Sequence, residues 1–209
     1  MALGEHEQAR ADFETSLAIS QRLGDDYGII RATLGMAHLA VTQAHYSQAN
    51  ILIQQAEGLL GAAGEDEAIQ VRWLRALILG ATGDLPGGIE LAGTALEMAR
   101  SAGISEQEVE SLRVLGHLQR MAHHYAAAQQ SLRDLVDLCA QRDDPYQHGL
   151  ALLELGLLYV NTAQSDGRSI VSEPERIAAQ QILNQASTYF TRLGARYDLD
   201  IAQQALARI

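Results

Sequence analysis

The sequence predicts an all-α fold, a right-handed α-α superhelix of about four to five helical hairpins. Three observations carry that expectation. Hydrophobic residues make up 47% of the 209 residues, but aromatics only 5%, with three prolines, a composition that favours helices packed through Ala and Leu. A small residue recurs at Ala9, Ala49, Gly88 and Ala128, in steps of 40, 39 and 40, and a constant step of that size marks stacked repeats. The joints between these segments pair a glycine or other break with acidic residues, the chemistry that stops one helix and starts the next.

Taken in order, residues 1–23 form an unpaired helix of a partial repeat. "GEHEQARADFETSLAI" from Gly4 places Ala9, Phe13 and Ser16 on one helical face. It begins at Leu3-Gly4, the turn of a hairpin whose first helix is missing, so Phe13 and Leu17 are expected to lack their usual partner. The expectation is either a fragment of a longer protein or an end covered by a second molecule. The hairpin 24–64 follows "LGDD" at Leu23, with Leu34-Gly35 and His38 in its first helix and Ala49, Ile53 and Ala56 in its second. The hairpin 65–103 follows "GEDE" at Gly64, where carboxylates meet free N–H groups and the helix dipole. Ala76 stands in it where the neighbouring hairpins have Gly, and Gly88, Ala92 and Ala95 mark its second helix.

The hairpin 104–143 opens with the capping box Ser105 and Glu108, then Leu115-Gly116 with Gln119, then Ala128, Leu132 and Leu135. The hairpin 144–194 opens at "RDDPY", carries Leu155-Gly156 with Tyr159, and continues with Ala179, Leu183 and Ala186. Its Ala179 comes 51 residues after Ala128 because a loop is inserted at 164–174, "QSDGRSIVSEP"; Ser172 and Glu175 in and beside it form a second capping box. Residues 195–209 are a capping helix, and the whole is read as a single repeat domain, 1–209. A glycine inside a helix costs about 1 kcal/mol relative to Ala, so Gly35, Gly116 and Gly156 at one repeat position imply close approach of another helix.

These residues carry a family resemblance. Leu-Gly, then Tyr three on, then a small residue twelve past the Gly, as from Gly116 to Ala128, is similar to the tetratricopeptide repeat (TPR), and "LGLLYVNTA" matches its first helix. Trp73 lies near the usual aromatic position of the second hairpin. The period near 40 departs from the 34 of standard repeats, and Gly35 to Ala49 is two residues longer than the standard spacing. That longer period resembles the superhelices ending large bacterial signalling proteins, such as ATP-dependent transcription regulators of the MalT type and some nucleotide cyclases. The closing "RLGARYDLDIAQQAL" also resembles the tail of such proteins.

Composition narrows the function classes. All fifteen basic residues are Arg against 26 acids, a net charge of −11 with no basic run, which argues against a nucleic-acid partner. Without lysine there is no Schiff base and no P-loop amine. Cys139 is the only cysteine; it lies at apolar spacing in "LVDLCAQR" and is read as a buried small hydrophobe in a reducing cytosol. The uncharged stretch Ala32 to Ala56 holds Gln43, His45, Ser47, Gln48 and Asn50, too polar to span a bilayer; the expectation is a cytoplasmic protein without a membrane partner.

"HHY" at His123 draws the eye as a metal or catalytic cluster. His123 stands where the repeat has its turn glycine, however, and His tolerates the left-handed conformation better than most residues. Neither HExxH nor paired Cys is present. "GATGDLPGG" from Gly80 lacks GK[ST], and GxSxG is absent. No catalytic residue, metal ligand or cofactor is assigned, and an enzyme is not expected.

What the resemblance implies instead is a partner-binding groove on the first helices of the hairpins. The groove residues are Met36, Leu39, Trp73, Leu77, Arg113, His117, Arg120, Leu153 and Leu157, flanked by Ile29, Ala32, Gly80, Met121, Leu150 and Val160. It is mostly apolar with a basic belt in the third hairpin. It fits a protein or peptide partner, an amphipathic helix above all, or another domain of the same polypeptide. A lysine-based clamp on a terminal carboxylate is excluded by the lack of lysine. The alternatives are homodimerisation through the N-terminal helix and a small-molecule or metal-sensing helical domain.

Overall fold

The computed structural model describes residues 3–59, 61, 64–165 and 173–209. Among these there are ten helices and no strand: α1 (Leu3–Leu23), α2 (Asp26–Thr42), α3 (Tyr46–Glu57), α4 (Glu65–Ala81), α5 (Leu85–Ala102), α6 (Ser105–Met121), α7 (Tyr125–Gln141), α8 (Pro145–Ser165), α9 (Glu173–Leu193) and α10 (Arg196–Leu206). The expected loop at 164–174 lies largely outside the described residues, as does Ser172 of its capping box. The chain divides into two compact units, Met1–Val114 and Leu115–Ile209, the boundary falling within α6.

Why helices of this length form here is plain in the local chemistry. All three prolines, Pro86, Pro145 and Pro174, occupy the first turn of a helix, where the missing N–H has no helical partner to lose. Asp25 accepts the Gly28 N–H at 3.1 Å, Asp84 that of Gly87 at 3.0 Å, and Asp144 that of Gln147 at 3.0 Å. Glu67 accepts the N–H of Gly64 at 3.2 Å. Much of the acidity therefore answers orphan donors and the dipole at helix starts. Glu108, placed in a capping box by its sequence spacing, reaches Arg100 of α5 at 2.8 Å.

Seven corners share one backbone device. Gly24, Ala44, Gly83, Gly103, His123, Asp143 and Gly194 all have positive φ, from 51° to 105°. At each, the next N–H donates to the carbonyl five residues back, at 2.8–3.5 Å, as in His45 to Ala40 and His124 to Gln119. That is the Schellman closure, which satisfies carbonyls the helix end leaves open. Ala44, His123 and Asp143 hold it despite their Cβ, at a cost of about 1 kcal/mol or more each. His123 offsets part of that cost through its Nδ1, 2.6 Å from the Tyr125 hydroxyl, with the rings edge to face. "HHY" is thus a corner and the start of α7.

In the first unit α1 packs on α2, α2 on α3 and α4, and α4 on α5. Its core is built from Ile30 and Leu34, Ala49, Ile53 and Ala56, Ile69 and Leu74, Ala92, Ala95 and Ala99, and Leu112, none above 1% exposed. In the second unit α8 packs on α7, α9 and α10, around Leu152, Leu153, Val160, Leu183, Ala186, Phe190, Ala202 and Ala205. The recurring small residues Ala49, Ala128 and Ala179 are at most 1% exposed, the requirement of a repeat that buries its stripe against its neighbours. Cys139 is fully buried, as expected of a small hydrophobe. Ala9 and Phe13 of α1 are only half-buried and Ser16 is exposed.

The in-helix glycines make the close contacts their spacing implied. A Cβ on Gly116 would sit 2.8 Å from Leu132 Cδ2, one on Gly156 2.5 Å from Leu183 Cδ2, and one on Gly35 2.4 Å from Phe13 Cε1. Gly35 thus receives a ring from the preceding helix. Phe13, expected without its usual partner, rests on the bare backbone of α2.

Candidate partner-binding surface

The residues expected to line a groove lie on α2, α4, α6 and α8, the first helices of the hairpins. In the first unit, Met36 and Leu77 stay half-buried, each with apolar surface towards solvent. Arg113 is also half-buried and pairs with Glu110 one turn earlier. Leu39 and Trp73 belong to the core, at 8% and 2% exposed. Among the flanking positions Ala32 and Gly80 are buried and Ile29 is half-buried.

Trp73 anchors a polar chain that sequence spacing does not reveal. Its indole N–H donates to Gln107 Oε1 at 2.7 Å, a buried donor properly satisfied. The His38 ring meets its edge at 5.1 Å between centroids and 80° between planes. Burial holds the His38 imidazole below its ordinary pKa, the Arg113 charge pushes the same way, and Glu110 opposes them. His38 is therefore neutral at pH 7. It lines a cleft of about 390 Å³ with Ala9, Phe13, Arg31, Gly35, Leu39, Thr42 and Gln70. In the sequence His38 stands out only as the polar residue three past Leu34-Gly35, and Arg31 and Gln70 carry no signal of their own.

In the second unit, Leu153 is 5% exposed and packs into the core, while Leu157 is half-buried against it. Val160 is buried, Leu150 half-buried, and Met121 39% exposed. Arg120 Nη2 lies 3.2 Å from His117 Nδ1 and 3.7 Å from Glu154 Oε2. Arginine can only donate, so Nδ1 accepts and the imidazole carries its hydrogen on Nε2. The hydroxyl of Tyr159 accepts from Gln129 at 2.6 Å and from Arg133 at 3.1 Å. The basic belt is thus compensated internally, and a partner's acid would compete with Glu110 and Glu154 for it.

No protein-family model matches the chain, and no curated protein matches it. Solved structures do. The crystal structure of BtubC (BKLC) from P. vanneervenii is similar at a TM-score of 0.60 and 14% identity, over 97% of this chain and 89% of that one. A putative kinesin light chain from Podosopora anserina, described as having nearly identical TPR-like repeats, is similar at 0.55 and 15%, over 92% and 90%. At such identities the likeness is one of fold, and the fold is a TPR-like helical repeat. No helix among the described residues is long and apolar enough to cross a membrane.

Proposed function

We propose that the chain is a non-catalytic protein-interaction module that presents the solvent-facing side of its first helices to a peptide, an amphipathic helix or another domain of its own polypeptide. TPR-like repeats mediate protein association in general, and the fold supports that much. The observation that carries the reading is the set of half-buried apolar side chains on first helices otherwise packed: Met36 and Leu77 in the first unit, Leu157 in the second. With the half-buried Arg113 and Arg120 of α6, such apolar side chains suit the apolar stripe and flanking acid of an amphipathic helix. We place the module at the C-terminal end of a cytoplasmic bacterial signalling protein, on the strength of its repeat period near 40. Self-association through α1 has less support, because its exposed positions are mostly polar or small, among them Glu7, Gln8, Asp12, Glu14 and Thr15.

Selection of helix-forming peptides from a displayed library tests this. Enriched peptides should lose about tenfold or more in affinity, a hot-spot-sized loss, to Leu77→Glu or Leu157→Glu. Ile51→Glu, on a second helix and already 56% exposed, should leave binding unchanged. Equal binding by all three variants, each still helical by circular dichroism, overturns the reading.

A further inference from the structure

We propose that the cleft between α1, α2 and α4 is a binding site for a small organic carboxylate, its apolar body against Ala9, Phe13 and Leu39 and its charge on Arg31. The site lies wholly within the first unit and goes beyond the protein-interaction reading.

Geometry comes first. Arg31, Gly35, His38 and Thr42 fall at i, i+4, i+7 and i+11, one stripe of α2. Gly35 has no side chain, and Phe13 lies over it, so backbone and an aromatic ring separate two polar ends. Ala9 and Phe13 close one side from α1 and Gln70 the other from α4. The volume, about 390 Å³, holds about a dozen water-sized groups and lies at the small end of ligand pockets.

Charge selects the ligand. In a chain with 26 acids, none of the residues lining this cleft is acidic. Arg31 is exposed, its guanidinium 5.7 Å over the Tyr27 ring, and among the described residues no carboxylate pairs with it. An arginine fork facing an apolar cleft is matched by a planar carboxylate, with the Gln70 amide as a second donor.

His38 couples the site to pH. Phe13 of α1 and Trp73 and Gln70 of α4 face it uncharged; the charges that act on it are Arg113 and Glu110 of α6, with none of comparable effect from α3. Arg31 stands two turns away on its own helix. A carboxylate held on Arg31 acts on the neutral imidazole through the cleft from about two turns away and raises its proton affinity, so binding takes up a fraction of a proton and tightens modestly as pH falls. Trp73, the only tryptophan, touches His38 and reports the event.

Hydrocinnamate, the corresponding alcohol, and a capped peptide carrying the same phenyl and carboxylate groups are titrated against the full chain by Trp73 fluorescence and calorimetry. Hydrocinnamate should bind saturably with a Kd of roughly 1 mM or tighter, and the alcohol about tenfold or more weaker, the effect of losing a charged hydrogen bond. Arg31→Gln should abolish that preference. Affinity for the acid should be higher at about pH 6 than at about pH 8, and His38→Gln should flatten the difference. Equal binding of acid and alcohol, indifference to Arg31→Gln, or no saturation overturns the proposal. Tighter binding by the capped peptide overturns the small-molecule assignment while leaving the interaction module standing. Leu77→Glu and Leu157→Glu should keep hydrocinnamate binding, so either proposal can fail alone.

Discussion

At the scale of single residues, the most informative is His38, because burial in the first unit acts on a group that titrates near neutrality. Desolvation lowers its folded pKa from an ordinary 6.5, Arg113 adds to the effect, and Glu110 opposes it. The unfolded chain therefore binds a proton at a pH where the folded chain does not. The sign follows: folding stability is fully present above about pH 6.5 and is lost as pH falls towards the lower folded pKa. Urea midpoints measured from about pH 7.5 down to pH 5 should fall for the native chain. In His38→Gln, which cannot take up the proton, they should fall less. Parallel curves for the two proteins would mean that His38 is not held neutral by its surroundings. His148 is lowered too, chiefly by partial burial against the Tyr189 ring, so the variant's curve retains some slope.

At the scale of helices, the fold rests on glycines that two opposing terms pull in different directions. Replacing a helical Gly by Ala removes backbone entropy from the unfolded chain and gains about 1 kcal/mol where nothing is in the way. At Gly93 in α5 a Cβ meets nothing within 4 Å, whereas at Gly156 in α8 it meets Leu183 Cδ2 at 2.5 Å and Cγ at 2.6 Å. Leu183 is fully buried and has little room to turn, so an overpacking cost of about 1–3 kcal/mol is set against that gain and outweighs it. Gly93→Ala should raise the thermal midpoint and Gly156→Ala lower it. If both moved upward, the α8–α9 contact would be looser than this geometry requires. The same contrast explains what could be read from the sequence. The register of the helices was legible because Ala49, Ala128 and Ala179 recur at one repeat position and Gly116 and Gly156 at another, and close packing leaves both positions room only for small residues. The surface was less legible. On a helix, positions three or four apart diverge by only a fraction of a turn, so landmark counting put buried Leu39, Trp73 and Leu153 beside half-buried Met36, Leu77 and Leu157. The His38 cleft was invisible, since Phe13, Arg31, His38 and Gln70 come from three helices and form no motif.

At the scale of the whole chain, repeats that bury their stripes only against neighbours distribute stability locally, as nearest-neighbour terms. Each unit here has a core of its own: Ile30, Ile69, Leu74 and Leu112 in the first, Leu183 and Phe190 with Ala186 and Ala202 in the second. Truncating a large buried side chain removes about 3–5 kcal/mol for Phe→Ala and about 2–5 kcal/mol for Leu→Ala, a sizeable part of what a domain has. Where that loss is felt depends on how far cooperativity extends. If it extends chiefly within a unit, Phe190→Ala should lower amide hydrogen-exchange protection in α8 and α9 by much more than in α2 and α4, and Leu74→Ala should do the reverse. Native-state exchange read by mass spectrometry over peptides from each unit measures both. The comparison has force because α6 belongs to both units: its N-terminal amides should follow Leu74→Ala and its C-terminal amides Phe190→Ala. Uniform loss along the chain in both variants would mean that the described helices melt as one block and that the two cores share a single folding transition.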